Sequence, residues 1–476
     1  MKIARMDNPV RADWFSDQGL RLDASPYLSG ALEVRKRLEV LPNTVRLASL
    51  TTGYNDGIFN GPQFRRVYLS NPEHSVPFLG SKDMMTSDLT RLPRLRRSDA
   101  ESGSLSHLRL KPGMTLISCS GFHAGRRSYV RPDMATIWSS QDVLKVEPDP
   151  GKIRAGYLYA FLASRFGEAF VKASVYGSAV KHIEPHHLVD LPVPRFDSVL
   201  EQQIHDLVEE SARLRAAFQA GLVAASEDFF RSAGLPELID YRWHDEESDL
   251  GFVVHGVTPV TLRALNFRPR AQRLTDVLRS VPGTTLGQVC EGGTLRTGAR
   301  FKRIDTDEEH GVRLVGQRQA FWGRPEGRWI SAAAAPGDIL QEDETILVAA
   351  HGTFGENEVY SRSVFITGSL LENAYGQDFL RVLSGRAEVP GAYLFALFRT
   401  NAMFRIFRSI SVGGKQQEYH TTLLRDLPIP LAPMADRERI AETVRKAYRD
   451  RDRADVLEDQ ALALLTDAIE EAEARW

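Results

Sequence analysis

The side chains of this chain that could do chemistry are bases and amides gathered in segments of loop composition. The first half carries Arg65, Arg66, Lys82, Arg96, Arg97, His123, Arg126, Arg127, Ser178 and Lys181. The second carries Arg296, Arg300, Lys302, Arg303, Gln317, Arg318, Gln319, Lys415, Gln416 and Gln417. Lys and Arg neutralise phosphates, Arg pairs with guanine edges in the major groove, and Gln pairs with adenine edges. The set suits base readout on double-stranded DNA.

Other chemistries have weaker support. His182, His186 and His187 surround Glu184 and invite a metal reading, but the positions 236 residues on are Glu418, Thr422 and Leu423, so the cluster is not shared between the two halves. Asp133, Asp142 and Lys145 could be assembled into a nuclease-like set, although such sets arise often by chance. The sequence holds no Gly-x-x-x-x-Gly-Lys-Ser/Thr phosphate loop and no Gly-x-Gly-x-x-Gly after a strand. It also lacks the Asn/Asp-Pro-Pro-aromatic segment with which an amino-methyltransferase grips its base; Asn71-Pro72-Glu73-His74 comes nearest and reads as a turn. No catalytic or metal-binding residue is assigned. Cys119 and Cys290 stand far apart with no Cys-x-x-Cys spacing, which points to a reducing compartment.

Composition sets the frame for these residues. The chain has 476 residues, 42% hydrophobic and 26% charged, the make-up of an ordinary globular protein of several domains. Its longest apolar run, Ala392 to Phe398, falls far short of a membrane span. Met1 to Asp7 is charged with no apolar core after it, so no secretory signal is expected and the location is expected to be cytoplasmic. The net charge of −2 conceals a partition: residues 45–140 carry +6 and residues 434–476 carry −4.

The elements that must position these loops come twice. Asp142-x-Leu144-x-Val146 matches Asp378-x-Leu380-x-Val382, Tyr157-Leu158-Tyr159-Ala160 matches Tyr393-Leu394-Phe395-Ala396, and Gly177 matches Gly413. Asp190-Leu191-Pro192-Val193-Pro194 likewise matches Asp426-Leu427-Pro428-Ile429-Pro430, always 236 residues apart. With small gaps, Lys111-Pro112-Gly113 resembles Ala335-Pro336-Gly337, and Gly121-Phe122-His123 resembles Gly352-Thr353-Phe354. Each half reads as a short helix, capped in the first half by Ser25-Pro26, then short strands, a helix near Tyr157 or Tyr393, a glycine loop and a Leu-Pro-x-Pro stop. After each stop comes a long stretch without Pro and with helical apolar spacing: Ile204, Leu207, Ser211, Leu214, Phe218, Leu222, Ala225 and Phe229, then Ile440, Val444, Ala447, Leu457, Ala461, Leu464 and Ala468. Helices of about 35 to 40 residues span roughly 50 to 60 Å, and two such stripes can bury each other as an antiparallel coiled coil.

At the repeated segments Gly177 to Pro194 and Gly413 to Pro430, each leading into a long helix, and at Glu201-Gln202-Gln203-Ile204, the sequence resembles the specificity (S) subunit of type I restriction-modification systems. The likeness covers nearly the whole chain, including Arg21-Leu22-Asp23 to Tyr27; the second helix departs from it with Arg437-Glu438-Arg439-Ile440. The resemblance implies an α+β fold: two similar mixed α/β target recognition domains in tandem, separated and linked by two long antiparallel coiled-coil helices with pseudo-twofold symmetry. The divisions expected are 1–44, an N-terminal helical approach segment; 45–196, the first recognition domain; 197–233, a spacer helix; 234–283, a linker and the approach segment of the second repeat; 284–433, the second recognition domain; and 434–476, a second spacer helix. It further implies a non-catalytic subunit of a phage-defence methyltransferase complex that reads a bipartite DNA target. Its partners would be two methyltransferase subunits and restriction/translocase subunits. S-adenosylmethionine would sit on those partners, and this chain would bind no cofactor. Acidic residues of the last helix, Glu458, Asp459, Glu470, Glu471 and Glu473, are expected to face a partner. A self-sufficient DNA nuclease or modification enzyme and a coiled-coil adaptor of a related defence system are the alternatives.

Overall fold

A computed structural model describes residues 10–17, 27, 30–177, 181–236, 243, 249, 251–255 and 260–475. The Ser25-Pro26 cap lies outside the described residues. The chain divides into two units, one of residues 1–216 with 453–476 and one of residues 217–452.

Among its described residues the first unit contains nine strands: β1 (Thr44–Arg46), β2 (Ile58–Phe59), β3 (Ser75–Leu79), β4 (Arg94–Arg96), β5 (Thr115–Ser118), β6 (Arg127–Tyr129), β7 (Trp138–Ser139), β8 (Val143–Val146) and β9 (Pro192–Pro194). They form an antiparallel sheet in the order β2-β8-β5-β6, a mixed sheet β4-β3-β7 in which β3 and β7 run parallel, and the pair β1-β9. Strand β5 is buried along its whole length because both faces are covered, which its Thr-Leu-Ile-Ser sequence permits. The longer helices of the unit, besides the two that contribute to both units, are α1 (Ala31–Glu39), α2 (Ala155–Ala163) and α3 (Arg165–Ala173), and short ones span Ala12–Asp17 and Arg97–Ala100. Helix α2 is apolar all round and seven of its nine residues are buried.

The second unit repeats this plan. Its strands are β10 (Gly283–Thr285), β11 (Thr294–Thr297), β12 (Gly311–Val315), β13 (Gly327–Ser331), β14 (Thr345–Ala349), β15 (Ser363–Ile366), β16 (Asn373–Tyr375), β17 (Phe379–Leu383), β18 (Ser411–Val412), β19 (Glu418–Tyr419) and β20 (Pro428–Pro430). The sheet orders are β11-β17-β14-β15, β13-β12-β16 with β12 and β16 parallel, and β10-β20, the same three arrangements strand for strand. The small ribbon β18-β19 is additional. Its longer helices are α5 (Pro269–Arg279), α6 (Gly391–Phe398) and α7 (Asn401–Ser409), and two short ones span Leu286–Val289 and Thr421–Arg425.

Single hydrogen bonds recur along with the topology. Tyr157 donates its hydroxyl to the carbonyl of Pro194 at 2.5 Å, and Tyr393 does the same to Pro430 at 2.9 Å. The Ser164 hydroxyl accepts from the Gly167 amide as the N-cap of α3, and that of Thr400 accepts from the Met403 amide as the N-cap of α7. Gly177 and Gly413 both adopt positive φ, 95° and 100°, the left-handed region open to glycine.

Two long helices contribute to both units: α4 (Ser198–Ser232) and α8 (Met434–Ala474). In the second unit they run antiparallel, since Phe218 meets Tyr448 at 5.3 Å between ring centres while Arg439 donates to Asp228 at 3.0 Å. Phe218, Leu222, Ala225 and Phe229 share a core there with Ile440, Val444, Ala447 and Tyr448. In the first unit Ile204, Val208 and Ala212 share a core with Ala461, Leu465 and Ile469, and Ser211 donates its hydroxyl to the Ala454 carbonyl at 2.8 Å. Leu207, Leu214, Leu464 and Ala468, read as seam positions, are half-buried, and Val208, Ala212, Leu465 and Ile469 take the buried places. A stripe of strict 3.5 spacing drifts around a helix of 3.6 residues per turn, and the buried set follows the drift. Among the described residues no helix is long and apolar enough to cross a membrane.

Candidate nucleic-acid interface

In the first unit three turns meet at one end of the sheets. Antiparallel pairing sets Ile117 of β5 opposite Arg127 of β6, and Ser118 opposite Val143 of β8; parallel pairing sets Leu79 of β3 beside Ser139 of β7. The segments Gly80–Lys82, Cys119–Arg126 and Ser140–Asp142 therefore emerge together. The Ser81 and Ser118 hydroxyls are hydrogen-bonded, and the Cys119 amide donates to the Asp142 carbonyl at 3.0 Å. A fourth loop, between α3 and β9, lies against them: Gly121 donates to the Lys181 carbonyl at 2.9 Å and Ser120 bridges to His182. Arg66 joins this rim by donating to Gln141 at 2.7 Å and Asp142 at 3.3 Å, with its guanidinium 5.4 Å from the centre of the Phe78 ring.

The rim brings together Arg66, Lys82, His123, Arg126, Arg127 and Lys181. Lys82 and Lys181 are exposed, and His123 and Arg126 are half-buried. Arg127 turns inward, donating to the Gly125 carbonyl at 2.7 Å and to Glu168 at 3.1 Å, so its charge is already neutralised. Ser178 lies outside the described residues. Cys119, buried behind the rim, has its thiol pushed up to about 12 by desolvation, which keeps it neutral.

The remaining first-half residues lie elsewhere. Arg96 pairs across from Ser75 at the other end of β3, about 13 Å from the rim at the usual rise of a strand. Arg97 donates to the carbonyls of Pro72, Glu73 and Ser75 at 3.2 to 3.3 Å, a structural use of its guanidinium. Arg65 and Arg96 line an open cleft of about 490 Å³ with Phe64, Ser98, Ser102 and Ser104, and Arg96 is paired there with Asp99 at 2.8 Å.

The same rim is built in the second unit. Gln317, Arg318 and Gln319 follow β12, Gly352 to Phe354 follow β14, Asp378 precedes β17, and Lys415 to Gln417 lie between β18 and β19. Gln417 donates its amide to the Gly352 carbonyl at 3.0 Å, the counterpart of the Gly121–Lys181 contact. Asp378, 236 residues from Asp142, is again the anchor: Arg303 approaches its carboxylate at 3.8 Å, His351 at 3.6 Å, and Gln317 donates to its carbonyl at 2.7 Å. Arg318, the counterpart of Lys82, is exposed and pairs with Glu358 at 3.2 Å. Gln319 is half-buried, whereas Lys415 and Gln416 are exposed. Gln417 is 3% exposed and accepts from Arg263 at 3.0 Å, so it holds the turn from inside. Arg296 sits within the sheet, opposite Arg381, where both donate to Asp338. Arg300 and Lys302 are exposed between β11 and β12.

Several supporting residues escaped the sequence reading. Arg263 and Asn266 donate to the Ser411 carbonyl at 3.1 and 3.0 Å, bracing the loop that carries Lys415. Arg408 donates to the carbonyls of Phe354, Gly355 and Tyr360 at 2.6, 3.0 and 3.3 Å, and burial lowers its guanidinium to about 10. The 236-residue counterpart of Arg408 is Lys172, so the repeat gave no signal for a buried guanidinium there. Phe122 was also missed: it is 87% exposed at the tip of the first rim.

Other expectations change. Asp133 pairs with its neighbour Arg131 at 2.8 Å and Lys145 is buried, so Asp133, Asp142 and Lys145 form no open catalytic group. Glu184 donates its amide to the His187 ring at 3.1 Å, which makes that histidine part of a turn. Among the described residues no three His, Cys, Asp or Glu side chains are grouped as metal ligands. The acids of α8 are largely engaged within the first unit, Glu458 with Arg215 and Tyr159, Glu470 with Arg165, and Glu473 with Arg37. What the two rims offer chemically is a concentration of hydrogen-bond donors facing solvent.

No protein-family model matches the chain, and no curated protein matches it. Solved structures similar to it include the type I restriction-modification S subunit from M. genitalium, at 12% identity over 90% of this chain and 95% of that one, with a TM-score of 0.37. The HsdS subunit from Thermoanaerobacter tengcongensis is similar at 12% identity over 90% and 96%, with a TM-score of 0.26. A chain from a structural study of complex assembly and conformational transition of the type I R-M system is similar at 13% identity over 90% and 98%, again with a TM-score of 0.26.

Proposed function

We propose that this chain is the sequence-recognition subunit of a multisubunit DNA adenine methyltransferase or restriction system, reading a split target with one rim per unit. The observation that carries the reading is that one donor-rich rim is built twice on the same strands and the same anchoring aspartate, with different side chains on top. Ser81, Lys82 and Asp83 in one copy stand where Gln317, Arg318 and Gln319 stand in the other. Two copies of one scaffold with unlike donors suit two unlike half-sites. The long helices α4 and α8 would set the unread gap between them.

Methyl transfer would belong to partner methyltransferase subunits, which would bring S-adenosylmethionine and extrude the target adenine. Mapping methylated adenines in DNA from cells carrying this chain and its neighbouring methyltransferase tests the proposal. The expected result is a bipartite motif with a constant gap, and exchange of Gln317, Arg318 and Gln319 alters one half of it. A continuous motif, or methylation independent of this chain, defeats the reading.

A further inference from the structure

The apolar side chain at the first rim stands apart from its surroundings. Phe122 is 87% exposed, while the rim that carries it is made of donors and cations, among them Lys82, His123, Arg126 and Lys181. Its ring meets that of His123 edge-on at 5.4 Å. The turn that carries it is tightly fixed by its own main chain. Ala124 donates to the Gly121 carbonyl at 3.2 Å, Gly125 to Ser118 at 2.8 Å, Arg126 to His123 at 3.0 Å, and Gly121 to Lys181 at 2.9 Å. Gly121 and Gly125 bracket the turn at φ of 76° and 93°. The main chain beneath the ring is therefore set, and with it the direction in which the side chain leaves the turn.

The second rim does not repeat this feature. Phe354, at the corresponding turn, is 36% exposed and lies near Tyr360 and the Arg408 guanidinium, at 6.0 and 5.9 Å between centres. A lone exposed Phe on a polar surface is common. One carried on a braced turn of a basic rim, at the place where a polyanion of stacked bases would arrive, has a specific use, because an aromatic face can take the place of a neighbouring base.

Resting on the recognition reading above, we infer that Phe122 is a stacking wedge: its ring enters the base stack of the half-site read by the first unit and unstacks one step there. The surrounding cations favour DNA over a protein partner as what covers it. The full-length chain is used to select 30-base-pair duplexes from a random-sequence pool, and the selected duplexes are then carried with 2-aminopurine at each step of the first half-site. Phe122→Ala is expected to weaken binding roughly five- to hundredfold and to abolish the 2-aminopurine fluorescence rise seen with the wild type. Phe122→Tyr restores both, and Phe122→Gln, polar at the position, restores neither. Because the side chain is exposed, all three variants keep the wild-type melting temperature. Unchanged affinity and fluorescence in Phe122→Ala overturn the wedge while leaving DNA recognition intact. So does unchanged DNA binding accompanied by loss of a methyltransferase subunit, which reassigns Phe122 to a protein interface. Failure of the wild-type chain to enrich any duplex overturns the recognition reading and the wedge with it.

Discussion

Replacing Arg215 by alanine tests how the two long helices are joined within the first unit. The guanidinium, on α4, donates to Asp455 at 2.7 Å and to Glu458, both on α8, while the Tyr159 hydroxyl also donates to Glu458. The side chains of Arg215, Asp455 and Glu458 are 22%, 20% and 8% exposed. At 2.7 Å and an effective dielectric constant near 20 the Arg215–Asp455 attraction alone is about 6 kcal/mol. Desolvation of the three charges offsets most of it, so the intact cluster adds little net stability. Removing one partner is different. Glu458 then keeps a buried carboxylate without the Arg215 guanidinium, a cost of about 3 to 5 kcal/mol, and the partial exposure of Arg215 and Asp455 favours the lower end.

The assay is hydrogen exchange on peptides covering residues 204–215 and 453–465, read as the free energy of local opening, because two units need not unfold together. Arg215→Ala is expected to lower that energy by about 3 kcal/mol. Replacing the whole cluster by apolar groups, Arg215→Met with Asp455→Leu, Glu458→Leu and Tyr159→Phe, leaves no charge or hydroxyl stranded and is expected to return to within about 1 kcal/mol of the wild type. If the single variant loses less than about 1 kcal/mol, or the fully apolar variant loses as much as the single, the cluster is not a buried polar clamp.

Two further outcomes are expected. Burial lowers Lys145 to about 7, so between pH 7 and the ordinary lysine range the unfolded chain holds a proton that the folded chain lacks. Stability should rise with pH over 7 to 9 by at most about 1.4 kcal/mol per unit, and denaturation midpoints of Lys145→Met should lack that slope. Gln417→Ala should lower the melting temperature, because the buried amide ties Arg263 to the turn, while exposed Lys415→Ala should leave melting unchanged and weaken DNA binding in a filter assay.

The sequence showed the scaffold more clearly than the contacts. A constant offset located Asp142 and Asp378, Tyr157 and Tyr393, and Gly177 and Gly413, because each is held by a main-chain geometry that both copies share. Which donors stay free was not legible. Arg66 and Arg97 look alike in the sequence, yet one reaches a rim aspartate and the other donates to three main-chain carbonyls away from the rim. Adjacent Gln416 and Gln417 differ as exposed and buried because the short ribbon β18-β19 turns one inward, and two-residue strands leave no periodic signal. Nor was it legible that Glu458, Glu470 and Glu473 of α8 meet arginines on α4, α3 and α1, because those arginines lie far away in the sequence.

The way the rims are fastened explains how two copies could diverge in what they read. The contacts that close each rim, Gly121 to Lys181 and Gln417 to Gly352, run between main-chain atoms. So do Cys119 to Asp142 at 3.0 Å and Ala350 to Asp378 at 2.9 Å. Main-chain bonds are indifferent to the side chain they carry, so an exposed donor such as Lys82 can become Arg318 without the turn losing its shape. Each rim also has braces of its own, Glu168 under Arg127 in one and Arg408 under Phe354 in the other. These braces set the tilt of individual turns. Recognition can therefore change by surface substitution alone, whereas a change of brace alters the direction in which a whole turn presents its donors.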